Sequence, residues 1–349
     1  MPRFRTLDEL DVAGKRVLLR ADLNVPVKDG TVTDATRIER LAPTIAALVD
    51  KGARVVVMSH FGRPKGYDAA QSLRPVVPAL SRTIGGKEVH FAEDCVGEEA
   101  ESVVNALQPG DVALLENLRF HPEEEANDPE FAEQLAALGD VYIDDAFSAS
   151  HRAHASIEAL AHLLPAAAGK NMQAELEALA AAFENPRHPV MALIGGAKVS
   201  TKLDLLHFVI RKVDLMAIGG AMANTFLHAK GRPVGRSLYE PDLADIARAV
   251  LSFAEEQGCD IILPEDVVTA EKLEPGVMTR TVPVHMVPMN AMILDLGPQS
   301  AERICRALEN ARTLVWNGPV GAFETPPFDR AGTAIAKKIA ELTKAGSLM

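Results

Sequence analysis

Basic side chains follow four short apolar runs in the first half of the sequence, and Arg37 opens the helix that comes after the first run. In chain order, the polar side chains at these places are Arg20, Asp22, Asn24, Arg37, His60, Arg63, Arg119, His151, Arg152 and His154. Guanidinium groups bind carboxylate and phosphate oxygens through paired hydrogen bonds, so several together select a small, multiply charged anion. The set predicts a pocket for a phosphorylated acid.

Other interpretations apply to single members of this set. A lone arginine more often forms a surface salt bridge. The spacing of His151 and His154 suits a metal, but no third ligand is spaced to complete a site, so anion contact or packing is favoured. The acidic stretch from Glu123 to Glu130 is interpreted as the solvated start of a helix.

Glycine pairs or near-pairs follow three apolar runs in the second half. Backbone amides at such turns can approach and bind phosphate. Lys198 and Lys202 are four residues apart and would share one face of a helix. A single pair would more often be a tight turn, but the recurrence predicts a nucleotide site that is neither a Walker site nor a dinucleotide fingerprint. The three turns begin at Gly195, Gly219 and Asn317.

The runs that precede these side chains are short, β-branched and continuous, which is typical of parallel strands buried on both faces. In the first half they are 16–23, 54–59, 111–115 and 141–144, and in the second 190–194, 215–218, 261–263, 292–295 and 313–316. Helical stretches alternate with them, as in 35–51 and 129–138. The pattern predicts an α/β protein with two parallel sheets flanked by helices.

A segment rich in helix formers, 171–183, separates the two halves and ends at Asn185-Pro186. We predict an N-terminal domain over 1–170, an inter-domain helix over 171–185 and a C-terminal domain over 186–349. A rigid helix between two binding domains is either a plain connector or a hinge.

Composition excludes several classes of protein. The 349 residues are 48% hydrophobic and carry a formal net charge of −12, which disfavours binding to nucleic acid or anionic membranes. No apolar run is long enough to span a membrane and the N-terminus lacks the apolar core of a signal peptide, so a cytoplasmic location is expected. Cys95, Cys259 and Cys305 have no paired spacing, which argues against disulfides and zinc and predicts inert thiols.

Six motifs, in chain order, resemble those of phosphoglycerate kinases. They are 20–26, 59–66, 115–120 with 122–125, 145–156, 195–202 and 316–323. The resemblance runs over the whole chain and implies two Rossmann-like lobes joined by a hinge helix. It also implies reversible phosphoryl transfer from 1,3-bisphosphoglycerate to ADP, giving 3-phosphoglycerate and ATP, with Mg²⁺, in a cytoplasmic, monomeric enzyme of glycolysis and gluconeogenesis.

The resemblance assigns roles residue by residue. Arg37 and Lys202 would be catalytic, stabilising charge on the transferring phosphoryl group. Substrate-binding residues would be Asp22, Asn24, Arg37, His60, Arg63, Arg119 and Arg152. The nucleotide would contact Lys198, Lys202, Asn317 and Glu324, with 219–222 and 292–296 lining its cleft.

Two features depart from the family. Thr201 replaces a frequent Asp, a change we expect to be tolerated. The sequence also stops at Met349, where the family continues with a strand and a glycine-rich turn whose Asp serves magnesium, so no metal ligand is assigned within the chain. We therefore expect a truncated C-terminal lobe with an open sheet edge and exposed apolar surface. The alternative function is a remnant, weakly active or inactive, that binds only 3-phosphoglycerate.

Overall fold

The computed structural model describes residues 4–349, so the first three residues of the predicted N-terminal domain lie outside it. The chain divides into two compact units, Met1–Ala178 and Leu179–Met349. The boundary falls inside the helix Lys170–Phe183, which covers most of the segment predicted to join the domains. No helix of the described residues is both long and apolar enough to cross a membrane.

The first unit contains a parallel sheet of six strands among the described residues, and a short antiparallel hairpin of β2 and β3. Its strands are β1 Arg16–Arg20, β2 Val27–Lys28, β3 Thr31–Val32, β4 Arg54–Met58, β5 Val89–Phe91, β6 Val112–Leu114, β7 Val141–Asp144 and β8 Ala166–Ala168. Its helices are α1 Thr36–Asp50, α2 Val77–Thr83, α3 Gly97–Ala106, α4 Pro129–Ala137, α5 Leu160–Leu163 and most of α6 Lys170–Phe183.

Alternation of side chains along the strands builds two cores in this unit. In β1, Val17 and Leu19 join one core with α1 and α2, whereas Leu18 joins the other with α3, α4 and α5. Burial on both faces explains why the strand sequences are continuously apolar. The order of strands in the sheet is β5-β6-β4-β1-β7-β8.

The second unit contains a parallel sheet in the order β11-β10-β9-β15 and a separate antiparallel sheet in the order β13-β12-β14. Its strands are β9 Val190–Ile194, β10 Leu215–Ile218, β11 Asp260–Ile262, β12 Asp266–Ala270, β13 Arg280–Pro283, β14 Met292–Leu296 and β15 Thr313–Asn317. Its helices are α7 Leu203–Ile210, α8 Gly220–Ala229, α9 Ala244–Gln257, α10 Pro298–Asn310 and α11 Arg330–Lys344.

The predicted α/β class, with parallel sheets flanked by helices, is confirmed. The assignment of 292–295 to the second parallel sheet is wrong, because β14 pairs antiparallel with β12. The run is apolar enough for either sheet, and strand pairing depends on the partner that the chain brings to it. The sequence also missed β5, β8, β12 and β13, which are short or partly polar.

Strand β15 forms one edge of the second parallel sheet within the described residues. The backbone of Met349 bonds to Arg312 and Leu314 at its start. Beside its end, Trp316 and Phe323 are 38% and 53% exposed.

Candidate functional site

The four strand ends predicted to carry the anion site are neighbours in the first sheet. Strands β6, β4, β1 and β7 lie side by side and parallel, so their carboxyl ends share one edge. From β1 the chain passes to β4 on one side and later returns to β7 on the other. Such a reversal leaves a crevice at the carboxyl edge where ligands bind in doubly wound folds.

Arg37 forms an ion pair with Asp22 at this edge. One Arg37 nitrogen lies 3.0 Å from Asp22 Oδ2 and donates to Asn24 O at 2.9 Å. Burial acts to raise the pKa of Asp22, but hydrogen bonds from Ser148 and Asn24 and the charge of Arg37 hold it below its usual value. The Arg37 side chain is still 52% exposed, so it has donors left for an anion.

Arg119 and Asn24 fix the loop that follows β4. Arg119 donates to Gly62 O at 2.7 Å and pairs with Glu125 at 2.9 Å, and the Asn24 amide oxygen accepts from Gly62 N at 3.0 Å. Arg63, the next residue, is exposed. The loop is thereby held between the ends of β1 and β6, and it carries Arg63 at the same edge of the sheet.

His60 is buried and neutral. Burial, followed by the charges of Arg20 and Arg119, lowers its pKa to about 3, while Asp22 partly opposes the shift. Its Nδ1 lies 3.2 Å from an Arg20 nitrogen. A guanidinium group can only donate, so Nδ1 accepts and the ring proton lies on Nε2, ready to be donated to an oxygen.

Behind His60 lies a buried network that the sequence did not reveal. Arg20 Nε donates to Ser156 Oγ at 2.8 Å, and that hydroxyl donates to Glu124 Oε1 at 2.6 Å. Arg20, predicted to face the anion beside Asp22, is only 1% exposed. The interpretation of 123–130 as a solvated stretch is wrong at Glu124, which is fully buried because it neutralises this network.

Arg152 is half-buried and close enough to contribute to the low pKa of His60. His154 lies 3.8 Å from Glu124, and His151 is exposed. The structure therefore brings the seven predicted substrate ligands to one edge of the sheet, and the two histidines do not converge on a common point in the contacts described.

In the second unit, Lys202 joins two of the predicted nucleotide segments. Its ammonium donates to Gly195 O and to Asn317 Oδ1, both at 2.6 Å, and burial lowers its pKa. The expected helical face shared by Lys198 and Lys202 is wrong. Lys198 lies exposed in the loop after β9, and Lys202 ends a 3-10 turn before α7.

The glycine turns pack directly against each other. A Cβ on Gly195 would lie 2.0 Å from Pro319 O, and one on Gly220 would lie 2.7 Å from Gly196 O. Beside them is a cavity of about 320 Å³. Its lining includes Gly196, Gly220, Ala221, Asn224, Leu238, Leu273, Met292, Ile293, Leu294, Asp295, Leu296 and Val320.

This cavity brings together the two segments predicted to line the cleft, 219–222 and 292–296, and adds Leu238 and Leu273, which the sequence did not single out. Glycine-lined apolar walls next to an ammonium group suit a flat heterocycle joined to phosphates. Glu324 is exposed and is not among the residues that line the cavity.

Comparison with known proteins identifies the family. A sequence model described as phosphoglycerate kinase matches residues 7–349. The chain belongs to the phosphoglycerate kinase family. Curated relatives named phosphoglycerate kinase include one from Rhodospirillum centenum, 58% identical over 99% of this chain and 87% of its own length. Another, from Azorhizobium caulinodans, is 57% identical over 100% of this chain and 88% of its own length.

Solved structures of the family agree. The phosphoglycerate kinase from Coxiella burnetii matches with a TM-score of 0.83 and 37% identity, covering 97% of this chain and 86% of that one. The phosphoglycerate kinase from Pyrococcus horikoshii OT3 matches with a TM-score of 0.84 and 31% identity, covering 97% of this chain and 86% of that one. The predicted family is confirmed, and with it the assignment to the kinases.

Proposed function

We propose that this protein catalyses reversible phosphoryl transfer between 1,3-bisphosphoglycerate and ADP, giving 3-phosphoglycerate and ATP, as a step of glycolysis and gluconeogenesis. The observation that carries the proposal is the cluster at the carboxyl edge of the first sheet. There Arg37, Arg63, Arg119 and Arg152 accompany a neutral histidine, which together suit an acid bearing a carboxylate and a phosphate.

In this proposal the N-terminal domain, 1–170, binds the acid. Asp22 and Asn24 orient Arg37 and the 62–63 loop, and Asp22 can accept from a substrate hydroxyl. His60 donates from Nε2, and Arg63, Arg119 and Arg152 supply charge. Arg37, with donors left free, reaches the oxygens of the group being transferred.

The C-terminal domain, 186–349, binds the nucleotide. The cavity beside Gly220 takes the base, Asn317 and Glu324 serve the ribose, and Lys198 and Lys202 meet the phosphates. Lys202 is held by Gly195 O and Asn317 Oδ1, so it is positioned before the substrate arrives and loses little freedom in the transition state.

No general base is required. Toward ATP consumption, a carboxylate oxygen of 3-phosphoglycerate forms a bond to the γ-phosphorus while the bond from that phosphorus to the β-phosphate oxygen of ADP breaks. No proton changes place, so catalysis consists of positioning and charge neutralisation by Arg37 and Lys202. Because transfer is direct, the acid and the nucleotide must meet, and we assign the segment 171–185 the role of hinge.

In this proposal Mg²⁺ binds together with the nucleotide, as part of that substrate. The side chains assigned to the nucleotide are two lysines, one amide and one exposed carboxylate, a set that suits phosphate oxygens better than a metal cage. When bound, the ion neutralises phosphate charge.

We further propose a monomeric, cytoplasmic enzyme without a nucleic-acid or membrane partner. The formal net charge of −12 repels polyanions, and the basic side chains assigned to the acid lie at one edge of the first sheet.

Two binding measurements and one assay test the function. Calorimetry should show one site for 3-phosphoglycerate and one for Mg-ADP, and a coupled assay should show ATP formation from 1,3-bisphosphoglycerate. If the chain binds the acid but neither binds Mg-ADP nor shows turnover, the alternative remnant function would be favoured. The curated relatives match over 99–100% of this chain, which does not favour that alternative. Truncation of the second lobe stays a prediction.

A further inference from the structure

Asp94, Cys95 and His121 form a cluster in the first unit that the proposed reaction does not use. Asp94 and Cys95 lie in the connection from β5 to α3, and His121 follows the 3-10 turn Leu118–Phe120 after β6. A carboxylate oxygen, the thiol sulfur and an imidazole nitrogen all lie within 4.8 Å of one another.

Existing hydrogen bonds hold the Asp94 carboxylate against the His121 imidazole and the Cys95 backbone. His121 Nε2 lies 2.7 Å from Asp94 Oδ1, and the Cys95 backbone N–H donates to the same oxygen at 2.6 Å. The imidazole stacks on Phe131, with ring centroids 5.2 Å apart, which fixes its plane. These contacts keep the imidazole and the carboxylate next to each other before any ligand arrives.

We propose that Asp94, Cys95 and His121 bind a divalent zinc-type cation, with water in the fourth position. A thiolate, an imidazole and a carboxylate are the three kinds of protein ligand that Zn²⁺ takes, and the thiolate disfavours Mg²⁺ and Ca²⁺. Zinc–ligand bonds of about 2.0–2.3 Å place tetrahedral ligands roughly 3.3–3.7 Å apart. Ligand atoms as far apart as 4.8 Å must therefore approach by about 1 Å, whereas His121 Nε2 and Asp94 Oδ1, which are 2.7 Å apart, must separate to admit the ion.

The distribution of burial permits these movements. The side chains of Asp94 and His121 are 43% and 29% exposed, so they can rotate and admit an ion from solvent. Cys95 is fully buried behind them and supplies the fixed ligand. A site open on one side and closed on the other matches three protein ligands plus water.

Binding of the ion replaces the proton of the Cys95 thiol. The S–H bond breaks, the proton passes to solvent and a sulfur–metal bond forms, without oxidation or reduction.

The sequence argued against zinc because no two cysteines are close in spacing. His121 is 26 residues from Cys95 along the chain, so the cluster exists only in the folded unit. A bound ion would tie the β5–α3 connection to the turn that carries Arg119, which links the metal site to the segment proposed to bind the acid.

Cobalt(II) tests the site because a thiolate ligand gives it a charge-transfer absorption. The tag-free double variant Cys259→Ser/Cys305→Ser keeps Cys95 as its sole thiol and should show this absorption at one Co²⁺ per chain, displaced by one equivalent of Zn²⁺. Cys95→Ser should abolish the absorption. His121→Gln should weaken Co²⁺ binding at least tenfold, and Zn²⁺ should raise the melting temperature of the double variant but not of His121→Gln.

The proposal is overturned if the absorption is absent from the double variant or persists in Cys95→Ser. If Cys95→Ser does not fold, His121→Gln and Asp94→Asn decide, since both side chains are partly exposed. If Zn²⁺ raises the melting temperature of His121→Gln and of Asp94→Asn as much as it raises that of the double variant, the site is excluded. None of these readouts depends on kinase activity.

Discussion

At the scale of single residues, the protonation state of His60 follows from its neighbours. Burial and two arginines favour the neutral ring, and Arg20 beside Nδ1 leaves the proton on Nε2. The histidine thus acts as a fixed donor rather than as a base, which agrees with a reaction that moves no proton.

Nitrogen-detected NMR should find the His60 ring neutral and protonated at Nε2 from pH 8 down to pH 5, because its pKa is about 3. The His60→Gln variant identifies the resonances by their loss. A ring that titrates near pH 6.5, or carries its proton on Nδ1, would contradict the assignment. As pH falls, the His60 ring becomes protonated in the unfolded chain at a higher pH than in the folded chain. His60 therefore lowers the free energy of unfolding as pH falls from 6.5 toward about 3.

Lys202→Ala should lower kcat by about 10²-fold or more while changing the affinity for 3-phosphoglycerate less than about twofold. The ammonium is positioned by Gly195 O and Asn317 Oδ1 and is expected to act chiefly in the transition state. Lys212→Ala, an exposed lysine after α7, is the matched control. Steady-state kinetics and calorimetry measure both quantities, and equal losses of kcat and affinity would exclude this role.

At the scale of elements, the turns after β9, β10 and β15 depend on close backbone approach. Gly195→Ala would place its Cβ 2.0 Å from Pro319 O, so the turns must separate. We expect a loss of roughly 2 kcal/mol or more in the free energy of unfolding, together with weaker Mg-ADP binding.

The control for this change is Gly332→Ala in α11. Its Cβ would lie 3.7 Å from Val320, an ordinary contact, and alanine favours helix. Urea unfolding of both variants gives the comparison. Equal stability of Gly195→Ala and the parent protein would show that the turns tolerate separation.

Asp295 connects β14 to α11. Its carboxylate accepts from Leu296 N at 2.9 Å and from Ala331 N at 3.1 Å, yet burial raises its pKa to about 6 despite these bonds. Because the folded pKa lies above the unfolded value of 3.8, its contribution to stability is present below 3.8 and is lost as pH rises through about 6.

The free energy lost on Asp295→Asn should therefore be smaller at pH 7 than at pH 4, by up to roughly 3 kcal/mol. Urea unfolding at both pH values measures it. Asp242→Asn, at an exposed position, is the control variant. An equal loss from Asp295→Asn at the two pH values would mean that the buried carboxylate does not titrate in this range.

At the scale of the whole molecule, each compact unit has its own cores and its own proposed ligand. Hydrogen exchange should slow in residues 4–178 on adding 3-phosphoglycerate and in residues 179–349 on adding Mg-ADP, because a ligand stabilises the unit that binds it. Protection of the first unit by Mg-ADP alone, with none in the second, would reverse the assignment of ligands to domains.

Much of the architecture could be predicted from the sequence. Strands buried on both faces are continuously apolar, and β7, β9 and β10 begin and end at the predicted residues. β14 shows the limit of this signal, since an apolar run does not state which strand it will pair with. The motif residues at the strand ends also fixed the family, because six ordered motifs are far more specific than any single one.

Local patterns in the amino-acid sequence were sufficient to predict the α/β class, the two-part organisation, the family and the residues at the strand ends. The burial of Arg20 and Glu124, the tautomer of His60 and the proximity of Cys95 to His121 became apparent in the folded chain alone. Each of these depends on distance and dielectric environment between segments far apart in the chain, which residue types and spacing do not encode.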